Sequence, residues 1–271
     1  MLHTIPFVVL TAVATSRRVA LQQAGAAVVA ASLPPQVVSA ADALLEAGGG
    51  GEEPALIDVY FGCGCFWHVQ HEFVEAERRI LGRKDNALTA LAGYAGGNAG
   101  AKDGKVCYHN AGFISDYGSL GHAEVVRLQI PPSSFGEFAK EYCKLFDKNG
   151  NRPDQTGDRG IEYRNLVGVP GGTKSLYAKQ LVQASLETGD KLDFGVGKGD
   201  DADARALAWV MDSTAFPFYQ AEPYHQFHDG FAWGEDYPNS YNKLSSSLSK
   251  AGVVKNSGCP NGMLGVGVLG L

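Results

Sequence analysis

The chain has 271 residues, 45% of them hydrophobic, and its 23 basic and 29 acidic residues give a formal charge of −6. A chain of this length and composition can bury one substantial core. Because it carries no basic stripe, we expect no nucleic-acid partner. No apolar run reaches the roughly 20 residues that span a bilayer, so we also expect no stable membrane insertion.

Residues 1–51 are predicted to be a targeting presequence with a glycine-rich linker. Two apolar stretches, 5–14 and 24–33, lie on either side of Arg17 and Arg18. Paired arginines before an apolar segment are typical of twin-arginine export signals. We therefore expect export or organellar import through a signal or transit peptide, with the plastid or thylakoid lumen as destination and the secretory route as alternative. A loosely packed amphipathic helix is the other interpretation.

The glycine run at 48–51 marks the predicted boundary of the folded part. Residues 52–271 are expected to form a single domain. Its C-terminal tail, from about residue 245, is rich in glycine near the end, and we predict that it is mobile. It carries one cysteine, Cys259.

The first predicted strand and helix deliver a cysteine to the start of that helix. An apolar run at 56–61 precedes Cys65, and apolar residues recur at helical spacing from Phe66 onward. Backbone N–H groups and the positive end of the helix dipole favour a thiolate at this position. Phe66 and Trp67 add an aromatic wall, which suits a small, soft, mostly apolar substrate group. The alternative is that Cys65 is a buried small hydrophobe.

A second strand is predicted over 86–93 and ends in the glycine-rich turn 93–97. The polar stretch 98–120 is predicted to be a long loop, and long loops inside compact domains tend to be functional. It contains Tyr108 and Tyr117.

The third predicted strand, 122–130, places a carboxyl group on an apolar face. Glu124, Val126, Leu128 and Ile130 share one side of the alternating pattern. Burial without a partner would raise the pKa of Glu124 and keep it protonated as a proton donor. The alternative is a glutamate in water at the strand edge.

The remaining pattern completes the fold prediction. Ser134 begins a capping-box sequence before the second helix, a strand is predicted over 163–169, a third helix over 173–187 and a further strand over 206–211. The order strand, helix, strand, strand, helix, strand predicts an α+β, ferredoxin-like two-layer sandwich with a mainly antiparallel sheet.

Five cysteines are an odd number for a structural disulfide framework, so we interpret them as working or incidental thiols. Cys143 falls beside the apolar stripe of the second helix and is predicted to be packed. The set consists of Cys63, Cys65, Cys107, Cys143 and Cys259.

Several motifs occur together in a fixed order. They are Gly-Cys-Phe-Trp at 64–67, Gly-Tyr-Ala-Gly-Gly at 93–97, Gly-His-Ala-Glu at 121–124, Asp-Arg-Gly-Ile-Glu-Tyr-Arg at 158–164 and Tyr-His-Gln at 224–226. From about Asp58 to the C-terminus the chain resembles the peptide methionine sulfoxide reductase A family. It departs from the family in having Glu162 where glutamine is usual.

The resemblance implies roles for the residues that match. Cys65 would attack the sulfur of the S epimer of methionine sulfoxide, and Phe66 and Trp67 would line the pocket for its methyl group. Glu124 would protonate the sulfoxide oxygen, which must leave bearing a proton.

Further residues would surround that oxygen. Asp158 and Tyr163 would hydrogen-bond around it. The family also has a second active-site tyrosine in the loop before Gly-His-Ala-Glu, and here Tyr108 and Tyr117 compete for that role.

The resemblance also implies a thiol cycle that needs no prosthetic cofactor. Cys65 would become a sulfenic acid, and a second thiol would condense with it. Cys259 is the expected resolving thiol, Cys107 is an alternative resolving or recycling thiol, and Cys63 ranks behind them because its ring with Cys65 would be strained. Thioredoxin or a similar dithiol would close the cycle. We expect a monomer that acts on oxidised proteins or free methionine sulfoxide in the oxidative stress response.

Two other interpretations remain. A thiol peroxidase or general disulfide oxidoreductase would turn over peroxide faster than methyl sulfoxides. A structural zinc site in a non-catalytic domain would need unusual ligand spacing. Its candidate ligands are Cys63, Cys65, His68, His71, Cys107 and His122.

Overall fold

The structure is a computed structural model of the chain. It describes residues 55–98, 104–153, 157–229 and 237–260. The predicted presequence and linker at 1–51 and the last glycines of the tail, 261–271, lie outside the described residues. Within the described part of the chain, no helix has the length and apolar character needed to cross a bilayer.

Strands and helices are interspersed along the chain, which confirms the predicted α+β class. The strands are β1 (Ile57–Gly62), β2 (Leu91–Ala95), β3 (Ala123–Ile130), β4 (Leu166–Val169), β5 (Asp193–Val196), β6 (Leu207–Asp212) and β7 (Tyr219–Gln220). The α-helices are α1 (Phe66–Leu81), α2 (Phe135–Lys144), α3 (Leu176–Glu187) and α4 (Asn239–Lys250).

All seven strands pair into one sheet in the order β5-β6-β4-β1-β3-β2-β7. The central strands β4, β1, β3 and β2 pair with one another in antiparallel fashion, β4 with β1, β1 with β3 and β3 with β2. Beyond them, β6 pairs parallel with β4, β5 pairs parallel with β6, and β7 pairs antiparallel with β2. The sheet therefore extends past the four strands of the predicted sandwich at both edges, and one edge is parallel. One added strand, β6, is the further strand predicted at 206–211, whereas β5 and β7 were not predicted.

The alternation predicted for the third strand is seen in β3. Val126, Leu128 and Ile130 join the large core that also contains residues of the helices, whereas Val125 packs in a smaller cluster with Tyr60. Because Phe61 pairs with Val126, Glu124 lies beyond the paired end of β1, where the chain turns into α1.

Helix α1 begins directly after β1 because the turn between them is very short. Gly64 has φ +68, a left-handed conformation that glycine adopts without penalty, and Cys65 is the N-cap residue. Phe66, Val69 and Phe73 are buried on the core side of the helix. The first turn of α1 is thereby placed at the end of the central strands.

Two details of the local predictions are wrong. Ser134 makes no capping hydrogen bond, because a 3-10 turn over Pro132–Ser134 leads into α2 and gives Ser134 helical dihedrals. The second strand begins at Leu91 rather than at 86, since residues Asp85–Ala87 form another 3-10 turn.

The C-terminal region contains a helix, α4, that the sequence analysis did not predict. The predicted start of the tail, about residue 245, falls inside α4, whose Tyr241, Leu244 and Leu248 are buried. Serine and lysine occupy most of the exposed positions of this helix, and the many serines obscured its apolar stripe. Cys259 is also buried, at 2% exposure.

Buried Glu77 ties the end of α1 to the start of β2. It is 0% exposed and pairs with Arg83. Its Oε2 accepts the backbone N–H groups of Thr89 and Ala90 at 2.9 and 3.1 Å. These bonds replace strand pairing at residues 89–90, just before β2 begins.

We therefore expect Glu77→Ala to lower the free energy of unfolding by about 3–5 kcal/mol, because it removes the buried acid that pairs with the half-buried Arg83 and leaves the amides of Thr89 and Ala90 without their partner. Urea denaturation measures the change. Glu137→Ala, which removes an exposed ion pair with Lys140, is the control and should cost less than about 1 kcal/mol. Equal small losses in both variants would contradict the anchoring role of Glu77.

Candidate active site

The centre of the site is a cysteine thiol beside a buried carboxyl group. Cys65 caps α1 at 7% exposure, and it is not part of a disulfide. The backbone N–H of the next residue, Phe66, donates to Glu124 Oε2 at 2.9 Å. The sheet register and the first turn of α1 therefore bring Glu124 next to Cys65, although 58 residues separate Phe66 and Glu124 in the chain.

Burial raises the pKa of the Cys65 thiol well above its ordinary value, and Coulombic interactions with Glu124 and Asp158 raise it further. The backbone N–H groups of Trp67 and His68 lower the pKa, as expected at a helix N-terminus. Burial raises the pKa by more than these two groups lower it. The helix start thus favours the thiolate, as predicted, but desolvation in this cleft opposes it more strongly.

Glu124 is only 2% exposed, and burial raises its pKa to about 8. The Phe66 N–H lowers this pKa, Asp158 raises it, and the Tyr117 hydroxyl, which lies 3.4 Å from Oε1, lowers it. At neutral pH the side chain is mostly a neutral acid. It is thus a proton donor in contact with the backbone of the nucleophile's helix.

Three tyrosines and an aspartate surround this acid. The Tyr117 hydroxyl hydrogen-bonds to Tyr163, and the Tyr108 ring stacks on Tyr117 with centroids 5.8 Å apart. Burial and the charges of Glu124 and Asp158 raise the pKa of Tyr108 and of Tyr163. The loop therefore delivers both candidate tyrosines to the site, and Tyr117 is the one that contacts Glu124.

The aromatic wall predicted from Phe66 and Trp67 is larger than the sequence indicated. His225 packs 5.4 Å from the Phe66 ring and 4.3 Å from the Tyr108 ring, and His228 packs 4.2 Å from Trp67. Burial lowers the pKa of His225 to about 3, so it is neutral. Among the described residues neither of its ring nitrogens has a hydrogen-bond partner. The Tyr-His-Gln motif was the available signal for His225.

Glu222 is a site residue that the sequence analysis missed. It is fully buried, accepts the Tyr94 hydroxyl at 2.8 Å, and accepts the backbone N–H of Tyr108 at 2.9 Å. It thereby fastens the long loop to β2. An acid among the apolar and aromatic residues at 216–227 could have been noticed in the sequence.

Arg164 explains why distant motifs meet here. This side chain is 1% exposed, and its guanidinium donates to the carbonyl groups of Gly96, Gly121 and Ile161 at 2.7–3.2 Å. One cation therefore holds three segments together: the glycine turn, the start of the Gly-His-Ala-Glu motif and the segment that contains Asp158. The backbone N–H of Gly64 also donates to the carbonyl of Tyr163 at 3.1 Å.

The cysteine pairing differs from the expectation. Cys107 and Cys259 form a disulfide with Cα atoms 5.6 Å apart, so Cys259 is joined to Cys107 and not to Cys65. In this state Cys107 and Cys259 are therefore not free thiols, whereas Cys63, Cys65 and Cys143 are. Cys63 is buried, and burial raises the pKa of Cys143 in α2 to about 11.

The zinc ligands considered from the sequence do not converge in the part of the chain that the structure describes. The group that does come together is Cys107, Glu222 and Cys259, with ligand atoms within 4.8 Å of one another. Two of the three form the disulfide.

Comparison with known proteins places the chain in a family. No protein-family model matches it. A peptide methionine sulfoxide reductase MsrA of Geobacter metallireducens is 30% identical over 182 residues, which cover 65% of this chain and 91% of that protein. The MsrA of Pseudomonas aeruginosa strain UCBPP-PA14 is 30% identical over 176 residues, covering 64% of this chain and 68% of that protein.

The chain belongs to the peptide methionine sulfoxide reductase A family. Membership makes it an enzyme of the oxidoreductase class. Among solved structures, reduced Mxr1 of Saccharomyces cerevisiae matches with a TM-score of 0.41 and 21% identity, over 68% of this chain and 92% of that one. Methionine sulfoxide reductase A of Corynebacterium diphtheriae matches with a TM-score of 0.39 and 18% identity, over 84% and 97%.

Because the pKa of Glu124 is raised in the folded state, we predict that the free energy of unfolding of this protein decreases as pH rises. The folded state binds the proton more tightly than the unfolded state, so stability falls by about 1.4 kcal/mol per pH unit between the ordinary pKa of 4.5 and about 8. Glu124→Gln cannot ionise. Its unfolding midpoint in urea should therefore rise relative to that of the parent protein from pH 5 to pH 8.

Leu128→Val, on the same strand, is the control, because it removes no titrating group and its difference from the parent protein should not change with pH. If the Glu124→Gln difference were the same at pH 5 and pH 8, the carboxyl would not be neutral in the folded protein.

Proposed function

We propose that this protein reduces the S epimer of methionine sulfoxide, protein-bound or free, to methionine. The observation that carries the proposal is the neutral acid Glu124 placed beside the thiol of Cys65 by the Phe66 N–H. Phe66 and Trp67 supply the apolar surface for the methyl group. Family membership and the names of the Geobacter and Pseudomonas relatives support the same activity.

In the chemical step, the Cys65 sulfur attacks the sulfoxide sulfur while Glu124 protonates the departing oxygen. The bond between the two sulfurs and the S–O bond of the substrate then break as the protonated oxygen moves to the Cys65 sulfur, which leaves methionine and a Cys65 sulfenic acid. The proton of the Cys65 thiol passes to the Glu124 carboxylate, which is thereby neutral again. Cys65 is oxidised by two electrons and the sulfoxide is reduced by two, so the step balances without a cofactor. A protonated thiol in the resting protein fits this scheme. Glu124 can accept the thiol proton only after it has given its own proton to the oxygen of a bound substrate. Asp158 and Tyr163 orient the oxygen.

Resolution of the sulfenic acid uses the thiols of Cys107 and Cys259. One of them condenses with Cys65 and releases water, and the other then displaces Cys65 and forms the Cys107–Cys259 disulfide. The net reaction converts one sulfenic acid and two thiols into one thiol, one disulfide and water. Cys107 directly precedes Tyr108, whose ring packs on His225 in the aromatic wall. This adjacency supports a resolving pair close to the active site.

An external dithiol, thioredoxin or a similar protein, would reduce that disulfide, and no prosthetic group is required. We propose that the monomeric enzyme repairs oxidised proteins during oxidative stress in an exported or organellar compartment reached through the presequence. The α+β core is proposed to be ferredoxin-like. The antiparallel order β4-β1-β3-β2 supports that arrangement.

A stereochemically resolved assay tests the reaction. Incubation of the protein with dithiothreitol and a mixture of the S and R epimers of methionine sulfoxide should consume the S epimer and leave the R epimer. Cys65→Ser should lower the rate of S-epimer consumption by at least about 10³-fold, since no other group replaces the nucleophile. Cys143→Ser, which alters another buried cysteine, is the control and should retain activity. Loss of the R epimer, or activity in Cys65→Ser, would contradict the proposal.

The resolving pair is tested with Cys107→Ser and Cys259→Ser. Each variant should complete one turnover, release one methionine per enzyme and then stall with thioredoxin, because the final disulfide cannot form. Mass spectrometry of the stalled enzyme identifies the attacking thiol as the one joined to Cys65. Steady turnover with thioredoxin at the parental rate in both variants would show that a different thiol resolves.

A further inference from the structure

The loop that carries Tyr108 and Tyr117 is folded on itself but needs anchors to the rest of the protein. Within it, Asn110 bonds to the backbone of Tyr108 and Ile114 at 2.9–3.0 Å. Phe113 and Ser115 have φ values of +48 and +49, and such conformations are costly for residues other than glycine. Internal bonds alone do not place its two tyrosines against Glu124.

One anchor is a histidine between two carboxyl groups. His109 Nδ1 lies 2.7 Å from Asp116 Oδ2, and its Nε2 lies 3.2 Å from Glu162 Oε2. Carboxylate oxygens only accept hydrogen bonds, so both ring nitrogens must carry a proton, which makes the ring a cation. Asp116 belongs to the loop and Glu162 to the segment that contains Asp158. The cation therefore joins two separate pieces of chain.

The electrostatics agree with this geometry. The hydrogen bond to Glu162 raises the pKa of His109 to about 9, burial lowers it, and Asp116 raises it. The phenol rings of Tyr108 and Tyr117 contact the imidazole at 5.2 and 4.8 Å. Because the folded pKa exceeds the ordinary value of 6.5, the stabilisation is complete below that pH and is lost as pH rises through about 9.

The packing around Glu162 is specific to this contact. Gly118 lies directly against it, and a Cβ atom at position 118 would fall 1.8 Å from Glu162 Oε1. The side chain of Glu162 therefore sits in space that only a glycine leaves open. This is the position where the chain departs from the glutamine usual in the family, and a carboxylate is the partner that a histidine cation requires.

We propose that protonated His109 is a positioning residue of the active site, which bridges Asp116 and Glu162 and so holds Tyr117 against Glu124. The proposal rests on the proposed function and extends it. In the reduced enzyme the Cys107–Cys259 bond is absent, so during the chemical step the loop depends on its remaining anchors, Glu222 near Tyr108 and the histidine bridge near Tyr117. The same cation also acts on the acid, because its charge lowers the pKa of Glu124.

The test compares His109→Asn with His109→Arg in the full chain under dithiothreitol. Asparagine is neutral, and we expect kcat for methionine sulfoxide to fall about 10- to 100-fold with a smaller change in KM, because the tyrosines are misplaced. Arginine keeps a cation with two donor directions and should restore most of the rate. The double variant His109→Asn/Glu162→Gln should recover part of it, since the carboxylate at 162 is removed together with its cation, while Asp116 keeps the Ser119 N–H as a partner.

Two further readouts separate positioning from a general loss of stability. Hydrogen exchange of the backbone amides at 107–121 should speed up in His109→Asn and not in His109→Arg. The alkaline limb of the kcat profile, which reports the titration of Glu124, should move to higher pH in His109→Asn, because the cation that lowers that pKa is gone.

An unchanged kcat in His109→Asn, or a lower kcat with unchanged exchange and an unmoved alkaline limb, would overturn the proposal. If the parent protein fails to reduce methionine sulfoxide at all, the proposed function fails. The exchange measurement still decides in that case whether His109 holds the loop.

Discussion

The hydrogen bond from the Phe66 N–H to the buried Glu124 carboxyl group is the contact on which the site depends. It joins the first turn of α1 to the start of β3, and it exists because β1 and β3 pair in a register that ends beside Cys65. Burial keeps the carboxyl protonated, and the same burial raises the pKa of the thiol. The protein thus accepts a destabilised acid in its core, which is the usual cost of a proton donor that works near neutral pH.

Irregular chain segments supply most of the remaining site, and buried charges hold them in place. Arg164 gathers three backbone carbonyl groups, Glu222 fixes the loop through the amide of Tyr108, and the proposed His109 bridge acts from the outer side. Each of these contacts replaces hydrogen bonds that a loop would otherwise make with water. The sheet positions the nucleophile and the acid, while these polar contacts position the tyrosines.

The thiols divide between two places. Cys65 lies at the end of α1 against the aromatic wall, and Cys107 and Cys259 are bonded beside Glu222, in the loop and after α4. A disulfide between segments 152 residues apart connects the loop to the C-terminal region. The oxidation state of the pair therefore changes how the loop with both tyrosines is tethered, and in the proposed thiol cycle this would couple resolution to the geometry of the acid.

By itself the sequence determined the α+β class, the position of Cys65 at a helix start and the inward face of Glu124, because these follow from local periodicity and turns. It did not determine the protonated state of the Cys65 thiol, since desolvation depends on everything packed around the sulfur. The Cys107–Cys259 pairing, helix α4, and the roles of Glu222 and His109 were likewise decided by tertiary structure. They arise from contacts between residues far apart in the chain, and no local pattern encodes which distant partners meet.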